Sequence, residues 1–267
     1  MANFLTVNGL AVPVSLNSFE EGEPEVIGAS ERAANGGLVE SVIATKRAAA
    51  FKTTPQLASV AEAWSQLLRG EGERWSFDSN LYGSKGTPPS SATGLAVTAA
   101  GIGPKHGAGY LAISSTYNFA VAGAYSTSYS ALLWRIESSA WHHYFVTFDG
   151  TTQTRYRDGS AYGSAITSWF NASAGTITLG PGSTEFDDVC LFPFAMPTSW
   201  ASALYTWHNA NAWPNLPALK VQGDAIPDAA GYRLCKGVVK GANLMRGALG
   251  GTKYSNLTQL SVGLLEV

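Results

Sequence analysis

Charged residues are scarce in this chain. Asp, Glu, Lys and Arg make up 13% of its 267 residues, about half of the roughly 25% found in soluble proteins. The formal net charge is −2, so the chain lacks the basic field that nucleic-acid binding requires. A surface this poor in charge favours large buried contacts with neighbouring subunits. The composition argues against a nucleic-acid partner and predicts a protein that works within an assembly.

Long apolar runs and cysteine pairs are also scarce. No apolar stretch approaches the roughly 20 residues that span a bilayer, which predicts no membrane insertion. The N-terminus lacks the basic start and long apolar core of a secretory signal, which disfavours a free secreted lectin. Cys190 and Cys235 are the only cysteines and lie at no metal-ligand spacing. Buried free thiols are favoured over a structural disulfide, which stays open.

Strand patterns are abundant, and the clearest covers residues 141–159. Residues 141–151 read W-H-H-Y-F-V-T-F-D-G-T, and alternate side chains within them give the period-2 pattern of a strand with two different faces. Asp149-Gly150 and Asp158-Gly159 supply the positive φ angles that hairpin turns need. The order W-H-H-x-x-V-T-x-D-G-T, then Y-x-D-G, resembles the central hairpins of laminin-G-like domains, a branch of the concanavalin A-like jelly rolls.

A second part of this resemblance follows. Residues 186–192 read F-D-D-V-C-L-F, and residues 195–205 resemble the short terminal helix that follows that family's closing strand. The resemblance spans about residues 90–206 and implies an antiparallel β-sandwich. It leaves function open, because this fold hosts lectins, hydrolases and adhesion modules.

The segments on either side of this sandwich are each too short for a stable core. Residues 1–86 carry a net charge of −3, residues 87–206 of −2, and residues 207–267 of +3. We therefore predict a mainly β protein, in which a jelly roll (87–206) is inserted into a discontinuous β-rich base domain (1–86 and 207–267). A Gly/Pro/Ser-rich linker at 83–91 marks the first boundary.

One helix is predicted in the base domain. Thr53 or Thr54 is suited to cap it, Pro55 suits its first turn and Gly70 its end. The predicted buried face follows helical spacing and consists of Leu57, Val60, Ala61, Trp64, Leu67 and Leu68.

The flanks carry a second resemblance. Residues 4–9, 18–21, 67–72, 75–78 and 256–267 are similar to segments of tailed-bacteriophage virion proteins. Tail-tube-related proteins, including distal tail proteins, use a β base with one helix, and some carry an inserted carbohydrate-binding-like domain. The resemblance implies a non-enzymatic tail or baseplate protein, assembled in the host cytoplasm, whose partners are identical subunits, other virion proteins and host-surface glycans. A capsid decoration protein with the same adhesive module stays an alternative.

Aromatic side chains in turn-rich surroundings are the candidates for glycan binding, which favours exposed rings with nearby amides. Packing at sheet edges or contact with another subunit is the competing interpretation. Trp134 and Trp141 alternate with apolar neighbours and are assigned to the core. The candidate glycan-binding residues are Tyr117, Asn118, Tyr125, Tyr129, Trp169 and Asn171.

No complete catalytic motif is present. Jelly-roll glucanases use E-x-D-x-x-E or E-x-D-x-E, with two glutamates as nucleophile and acid. Glu185 and Asp187 match the first two positions, but Val189 and Cys190 stand where the second glutamate is needed. A glycan-degrading enzyme is therefore disfavoured. We expect Asp187 or Asp188 to accept hydrogen bonds from backbone groups at the strand's edge.

The histidines suggest no metal site. His142 and His143 are adjacent on a strand and point to opposite faces, while His106 and His208 have no partner at ligand spacing. We expect these side chains to pack and form hydrogen bonds. Laminin-G-like domains sometimes hold one calcium ion at a loop rim, which leaves calcium open, and no other cofactor is implied. The acids available for calcium are Asp149, Asp158, Glu185 and Asp187.

Overall fold

The chain folds into two compact units. The computed structural model describes residues 5–22, 25–32, 38–84, 89–91, 95–99, 101–113, 117–120, 127–163, 169–173, 176–180, 184–223, 233–249 and 252–267. One unit, called the base unit below, combines Met1–Val7, Ala11–Arg69 and Ala218–Val267. The other, called the sandwich unit, combines Asn8–Leu10 with Gly70–Pro217.

The secondary structure is mainly β, which confirms the predicted fold class. The α-helices in the described part of the chain are α1 (Ala58–Leu68) and α2 (Ala201–Ala210). The strands are β1 (Thr6–Val7), β2 (Leu10–Ala11), β3 (Glu20–Glu21), β4 (Glu25–Arg32), β5 (Leu38–Lys46), β6 (Ala48–Lys52), β7 (Gln56–Leu57), β8 (Glu73–Trp75), β9 (Pro89–Ser91), β10 (Leu95–Thr98), β11 (Tyr110–Ile113), β12 (Tyr117–Ala120), β13 (Tyr129–Glu137), β14 (Ala140–Phe148), β15 (Gln153–Arg157), β16 (Ser160–Ala161), β17 (Phe170–Ser173), β18 (Thr176–Leu179), β19 (Thr184–Phe192), β20 (Leu219–Gln222), β21 (Arg233–Leu249) and β22 (Thr252–Glu266). No helix among the described residues is long and apolar enough to cross a membrane.

The base unit is built on one antiparallel sheet. Its strand order runs β2-β1-β20-β21-β22-β6-β3, and β7 pairs with β22. Helix α1 packs against β21 and β22 and buries Trp64, Leu67 and Leu68. The approach is close at Gly237, where a Cβ atom would lie 2.2 Å from the Leu68 carbonyl oxygen. Only glycine therefore fits at this point of β21.

Helix α1 begins later than predicted. Its N-cap is Leu57, which makes no side-chain capping bond, because the chain after Pro55 first pairs with β22 as β7. Leu57 is 62% exposed, so its predicted place on the buried face is wrong. The predicted end is confirmed, since the helix stops at Leu68 and Gly70 follows with φ +68°.

Two hairpins extend the base unit. Strands β21 and β22 pair with each other from Cys235↔Glu266 to Leu249↔Thr252. Strands β20, β6 and β7 flank only their near ends, up to Leu257. We call residues 244–249 with 252–256 the distal arm, and within the described chain its two strands pair only with each other. Strands β4 and β5 likewise form a two-stranded sheet of their own.

The sandwich unit consists of two antiparallel sheets. The larger has the order β10-β11-β19-β13-β14-β15-β16, with β8 paired to β19, and the smaller has the order β17-β18-β12-β9. Aromatic and aliphatic side chains fill the space between them. This cluster consists of Trp75, Phe77, Leu111, Ile113, Tyr129, Ala131, Leu133, Tyr144, Val146, Trp169, Phe170, Leu179, Phe186, Val189 and Leu191. The arrangement is that of a jelly-roll-like β-sandwich.

The sandwich unit extends beyond the predicted boundaries of 87 and 206. Strand β8 pairs with β19, and Trp75 and Phe77 are buried in the core of the sandwich. The predicted linker therefore does not mark the boundary, because the segment before it already belongs to the sandwich; residues 85–88 of that linker lie outside the described residues. At the other end, all of α2 and the chain up to Pro217 belong to this unit.

Both cysteines are free and buried, Cys190 in the sandwich unit and Cys235 in the base unit. The prediction of buried free thiols is confirmed. Burial raises the pKa of the Cys235 thiol to about 11, which makes it a poor nucleophile at neutral pH.

Candidate functional site

The β14–β15 hairpin has the geometry that its sequence predicts. Asp158 and Gly159 form the turn between β15 and β16, with φ +50° and +76°. His142 and His143 point to opposite faces, since His143 is fully buried while His142 is partly exposed. The Asp158 carboxylate holds both of them. It lies 2.7 Å from His142 Nδ1 and accepts a 2.9 Å hydrogen bond from the His143 backbone N–H.

A β-bulge places two carboxylates inside the sandwich unit. Leu132 pairs with Cys190 and Trp134 with Asp187, so Leu133 faces two residues of β19 rather than one. The residue that absorbs the extra length is Asp188, with φ +44°. Bulges re-aim side chains, and both Asp187 and Asp188 are fully buried here.

Asp188 is the centre of a buried polar network. One oxygen accepts a hydrogen bond from Arg74 Nε, and the other accepts from His208 Nε2 and the Trp213 backbone N–H, each at 2.9 Å. Arg74 also donates to Asn215 Oδ1 at 2.9 Å. Burial opposes ionisation, but the His208 hydrogen bond and the Arg74 charge outweigh it and hold the pKa of Asp188 well below its usual range. The network therefore contains a buried ion pair between β8 and β19.

Three histidines continue the network. His143 Nε2 lies 3.1 Å from His208 Nδ1, and His106 Nε2 lies 2.7 Å from the His208 carbonyl oxygen. All three rings pack around Trp134, with centroid distances of 5.1 to 6.0 Å. Burial, together with the neighbouring His208, holds the pKa of His143 well below its usual range and lowers that of His106.

The hydrogen bonds are consistent with one set of tautomers for these rings. Because His208 Nε2 donates to a carboxylate, Nδ1 of a neutral His208 is an acceptor, and His143 Nε2 carries the donated hydrogen. His143 Nδ1 is then a bare lone pair, buried and without a partner among the described residues. A second proton on His143 would find no acceptor there, which agrees with its lowered pKa.

Asp187 is held by backbone groups. It accepts hydrogen bonds from the N–H groups of Lys105, His106 and Asp188 at 2.7 to 2.9 Å. Burial raises its pKa to about 7. The predicted bonding to the backbone is confirmed for Asp187, which lies between the β19 residues that pair with β11 and those that pair with β8.

The fold brings His106 and His208 together although their sequence spacing is not that of metal ligands, and both pack and form hydrogen bonds as predicted. Together with Asp188 they offer ligand atoms that all lie within 4.8 Å of one another. These atoms suit a metal ion poorly, since Asp188 already accepts three hydrogen bonds and a cation would face the buried Arg74 guanidinium. Asp188, His143 and His208 are also fully buried, which keeps substrates away. The network is suited to fastening α2 and Trp213 onto the larger sheet.

Sequence reasoning missed this network because its members are far apart in the chain. One signal was available: two adjacent carboxylates in the otherwise apolar strand F-D-D-V-C-L-F. Charges in a buried strand need partners of opposite charge or hydrogen-bond donors. A histidine of the W-H-H motif and Arg74 were candidates for these partners.

Two of the predicted glycan-binding rings are buried. Tyr129 and Trp169 are 4% and 6% exposed and belong to the sandwich core. Tyr129 Oη accepts a hydrogen bond from Gln153 Nε2 at 2.6 Å, and Trp169 packs edge-on against Tyr144 with centroids 4.6 Å apart. The expectation that these rings are exposed is wrong, because they fill the space between the sheets.

The remaining glycan candidates lie on or near the smaller sheet. Asn118 of β12 and Asn171 of β17 both pair with Thr178 of the strand between them, so the three form one row across the sheet. Tyr117 pairs with Leu179, one position along. Tyr125 lies outside the described residues.

The four calcium candidates do not gather into one cluster of the described residues. Asp149 accepts the backbone N–H groups of Thr151 and Thr152 in an exposed turn. Asp158 is engaged by the two histidines of β14, and Asp187 by three backbone groups. Glu185 is partly buried on β19, opposite Ala112. Three of the acids thus have separate local hydrogen-bonding roles.

Comparisons with known proteins show little similarity to this chain. No protein family and no curated protein matches the sequence. Among solved structures, a Trypanosoma rangeli sialidase in complex with the inhibitor DANA matches 60% of this chain and 42% of its own, at 10% identity and a TM-score of 0.29. A likeness this weak carries no argument about fold or function.

Proposed function

We propose that this protein is a non-enzymatic structural protein of a tailed-phage particle, belonging to the tail or baseplate. Its base unit assembles with identical copies, and its sandwich unit projects and binds host-surface glycans. The observation that carries the proposal is the pair of two-stranded hairpins on the base unit, β21–β22 with its distal arm and β4–β5.

Hairpins of this kind need partners. An isolated two-stranded hairpin is at best marginally stable in water, and its open edges present unpaired N–H and C=O groups to other chains. The distal arm continues beyond the last strand that flanks it. Strands from neighbouring copies would pair with those edges, as expected of a subunit that completes its sheets on assembly.

The sandwich unit supports an adhesive role. It is a separate compact unit whose own buried network fastens α2, so it does not depend on the base unit for its core. Asn118, Thr178 and Asn171 stand in one row of backbone pairs across the smaller sheet, and amides and hydroxyls are the groups that sugar recognition uses. Glycan-binding sites of low individual affinity can still hold a particle on a cell, since many linked copies raise the overall avidity by orders of magnitude.

The experiment is to locate the chain within purified particles. An antibody raised against the sandwich unit should label the tail or baseplate in electron micrographs, and the purified protein should form rings by itself. Labelling of the head would favour the capsid-decoration alternative. Absence of the chain from mature particles would contradict the proposal.

A further inference from the structure

We propose that the sandwich unit binds a neutral sugar at a polar corner of its larger sheet. The polar corner lies at the adjoining ends of β13, β14 and β15 and in the turn after β15, and consists of Arg135, Glu137, His142, Arg157 and Asp158. The inference rests on the proposed function, because it gives the glycan-binding role a site of its own, away from the smaller sheet.

Cross-strand pairs place the polar corner on the inner face of the larger sheet. Arg135 pairs with Phe186, and Arg157 pairs with Tyr144. Phe186 and Tyr144 belong to the core between the sheets, and directly paired residues point to the same face. Apolar side chains at these positions would stabilise a sandwich about as well as ion pairs do. Charged groups on this face therefore indicate a role other than stability.

The polar corner is accessible to solvent and its charges cancel. The five side chains are 17–32% exposed. Arg135 and Arg157 both pair with Glu137, and Asp158 lies 2.7 Å from His142 Nδ1. Arg157 Nη2 donates to His142 Nε2 at 3.0 Å, which is consistent with a neutral ring. Two guanidinium groups thus face two carboxylates, and a charged ligand would meet like charge as well as opposite charge. The corner suits a neutral ligand.

The polar corner offers donors and acceptors together. A guanidinium group carries five N–H donors. Among the described residues, Arg135 donates two hydrogen bonds, to Thr184 Oγ1 and Glu137 Oε1, and Arg157 donates one. Each Glu137 oxygen faces one arginine and keeps a lone pair for another donor. Since a hydroxyl group both donates and accepts, a ligand with several hydroxyls uses both kinds of group.

Aromatic rings adjoin the polar corner. Tyr162 is partly exposed, and the Arg157 guanidinium lies 5.8 Å from the centre of its ring. Tyr144 packs edge-on against Tyr162, and its buried hydroxyl has no hydrogen-bond partner among the described residues. Burial, together with the neighbouring Glu137 carboxylate, raises the pKa of Tyr144, so this hydroxyl stays protonated. A ring beside donors and acceptors matches the apolar ring face and the hydroxyls of a sugar, which names the ligand class.

Ligand-detected NMR on the full chain tests the site. Saturation-transfer spectra are recorded with methyl glycosides of glucose, galactose, mannose and rhamnose, and with glucuronate as the charged probe. Each probe is present at about 10 mM, because a single weak site binds in the millimolar range. The corner variants are Arg157→Gln and Tyr162→Leu, the second of which keeps apolar packing and removes the ring. Urea unfolding midpoints check the fold.

Arg155→Gln is the matched control. Arg155 lies two residues away on the same strand, where its Nε donates to Gln153 Oε1 at 2.7 Å. At least one neutral glycoside should give saturation transfer, and glucuronate should give no more than that glycoside. Each corner variant should weaken the binding by about fivefold or more, while Arg155→Gln should stay within about twofold of the wild type. A corner variant that unfolds at the wild-type midpoint excludes misfolding as the cause.

Three outcomes overturn the inference. If a neutral glycoside binds but neither corner variant weakens it, or Arg155→Gln weakens it as much, the site lies elsewhere while the adhesive role stands. If glucuronate binds more tightly than every glycoside, the ligand is not neutral. If the wild type binds none of the probes, the sugar site is refuted; the adhesive role fails with it only if particles carrying the chain are also not retained on immobilised host polysaccharide.

Discussion

Replacing Asp188 with Asn should destabilise the sandwich unit strongly. The carboxylate is fully buried and accepts hydrogen bonds from Arg74, His208 and Trp213. The Arg74 side chain is only 9% exposed, so the variant leaves a buried guanidinium without its counter-charge. Breaking a buried ion pair in this way costs about 3–5 kcal/mol. At roughly 2–4 °C per kcal/mol for a unit of this size, the melting temperature should fall by about 6–20 °C.

Tryptophan fluorescence in urea is the assay. Seven of the eight tryptophans lie between residues 70 and 217, so the signal reports the sandwich unit. Asp149→Asn is the matched control, because Asp149 lies in an exposed turn and an amide oxygen can still accept its backbone hydrogen bonds. Combining Asp188→Asn with Arg74→Met should recover part of the loss, since no unpaired charge remains. If Asp188→Asn shifts the midpoint no more than Asp149→Asn does, the network does not stabilise this unit.

Three further predictions follow from the same contacts. Gly237→Ala should destabilise the base unit by about 1–3 kcal/mol, since its Cβ would lie 2.2 Å from the Leu68 carbonyl oxygen; hydrogen exchange in α1 should rise, while Gly241→Ala, in open space, should leave it unchanged. The lowered pKa of His143 means that the unfolded chain binds its proton first as the pH falls through about 6.5. Stability from this group is thus present above that pH and is lost below it by up to about 1.4 kcal/mol per pH unit, while Asp187, whose pKa is raised to about 7, contributes the opposite slope over the same range. In urea titrations at pH 4–7, His143→Gln should make the slope of stability against pH less positive, and an unchanged slope would assign the pH dependence to other groups. Asn118→Ala with Asn171→Ala should reduce retention on immobilised host polysaccharide, whereas Asn209→Ala, on α2, should not; equal retention of all three proteins would place any glycan site away from the smaller sheet.

Structural features that depend on residues close together in the sequence were predictable, whereas those that depend on the pairing of distant segments were not. The Asp158-Gly159 turn and the strands of its hairpin follow from neighbouring residues alone. The start of α1 was misplaced because Gln56 and Leu57 pair with a strand 200 positions away, and tertiary pairing overrides a local capping signal. Likewise, the first boundary was misplaced because Trp75 packs in a core whose other members come much later in the chain.

The candidate site shows the same division. The opposite orientation of His142 and His143 was predictable from strand geometry. The meeting of His106, His143, His208 and Asp188 was not, since it depends on a bulge in β19 and on where α2 docks. Tyr129 and Trp169 were assigned to the surface because turn-rich neighbours suggested exposure, whereas the pairing of the sheets buries them.

A cryo-electron microscopy structure of the assembled particle tests the assembly role most directly, through the surface area that each unit buries against neighbouring subunits. We expect the base unit to bury more area per residue than the sandwich unit, with β21–β22 and β4–β5 paired to strands of other copies. If the sandwich unit buries more, it cements the particle rather than binding glycans. If the hairpins contact no neighbouring chain, the assembly role is contradicted.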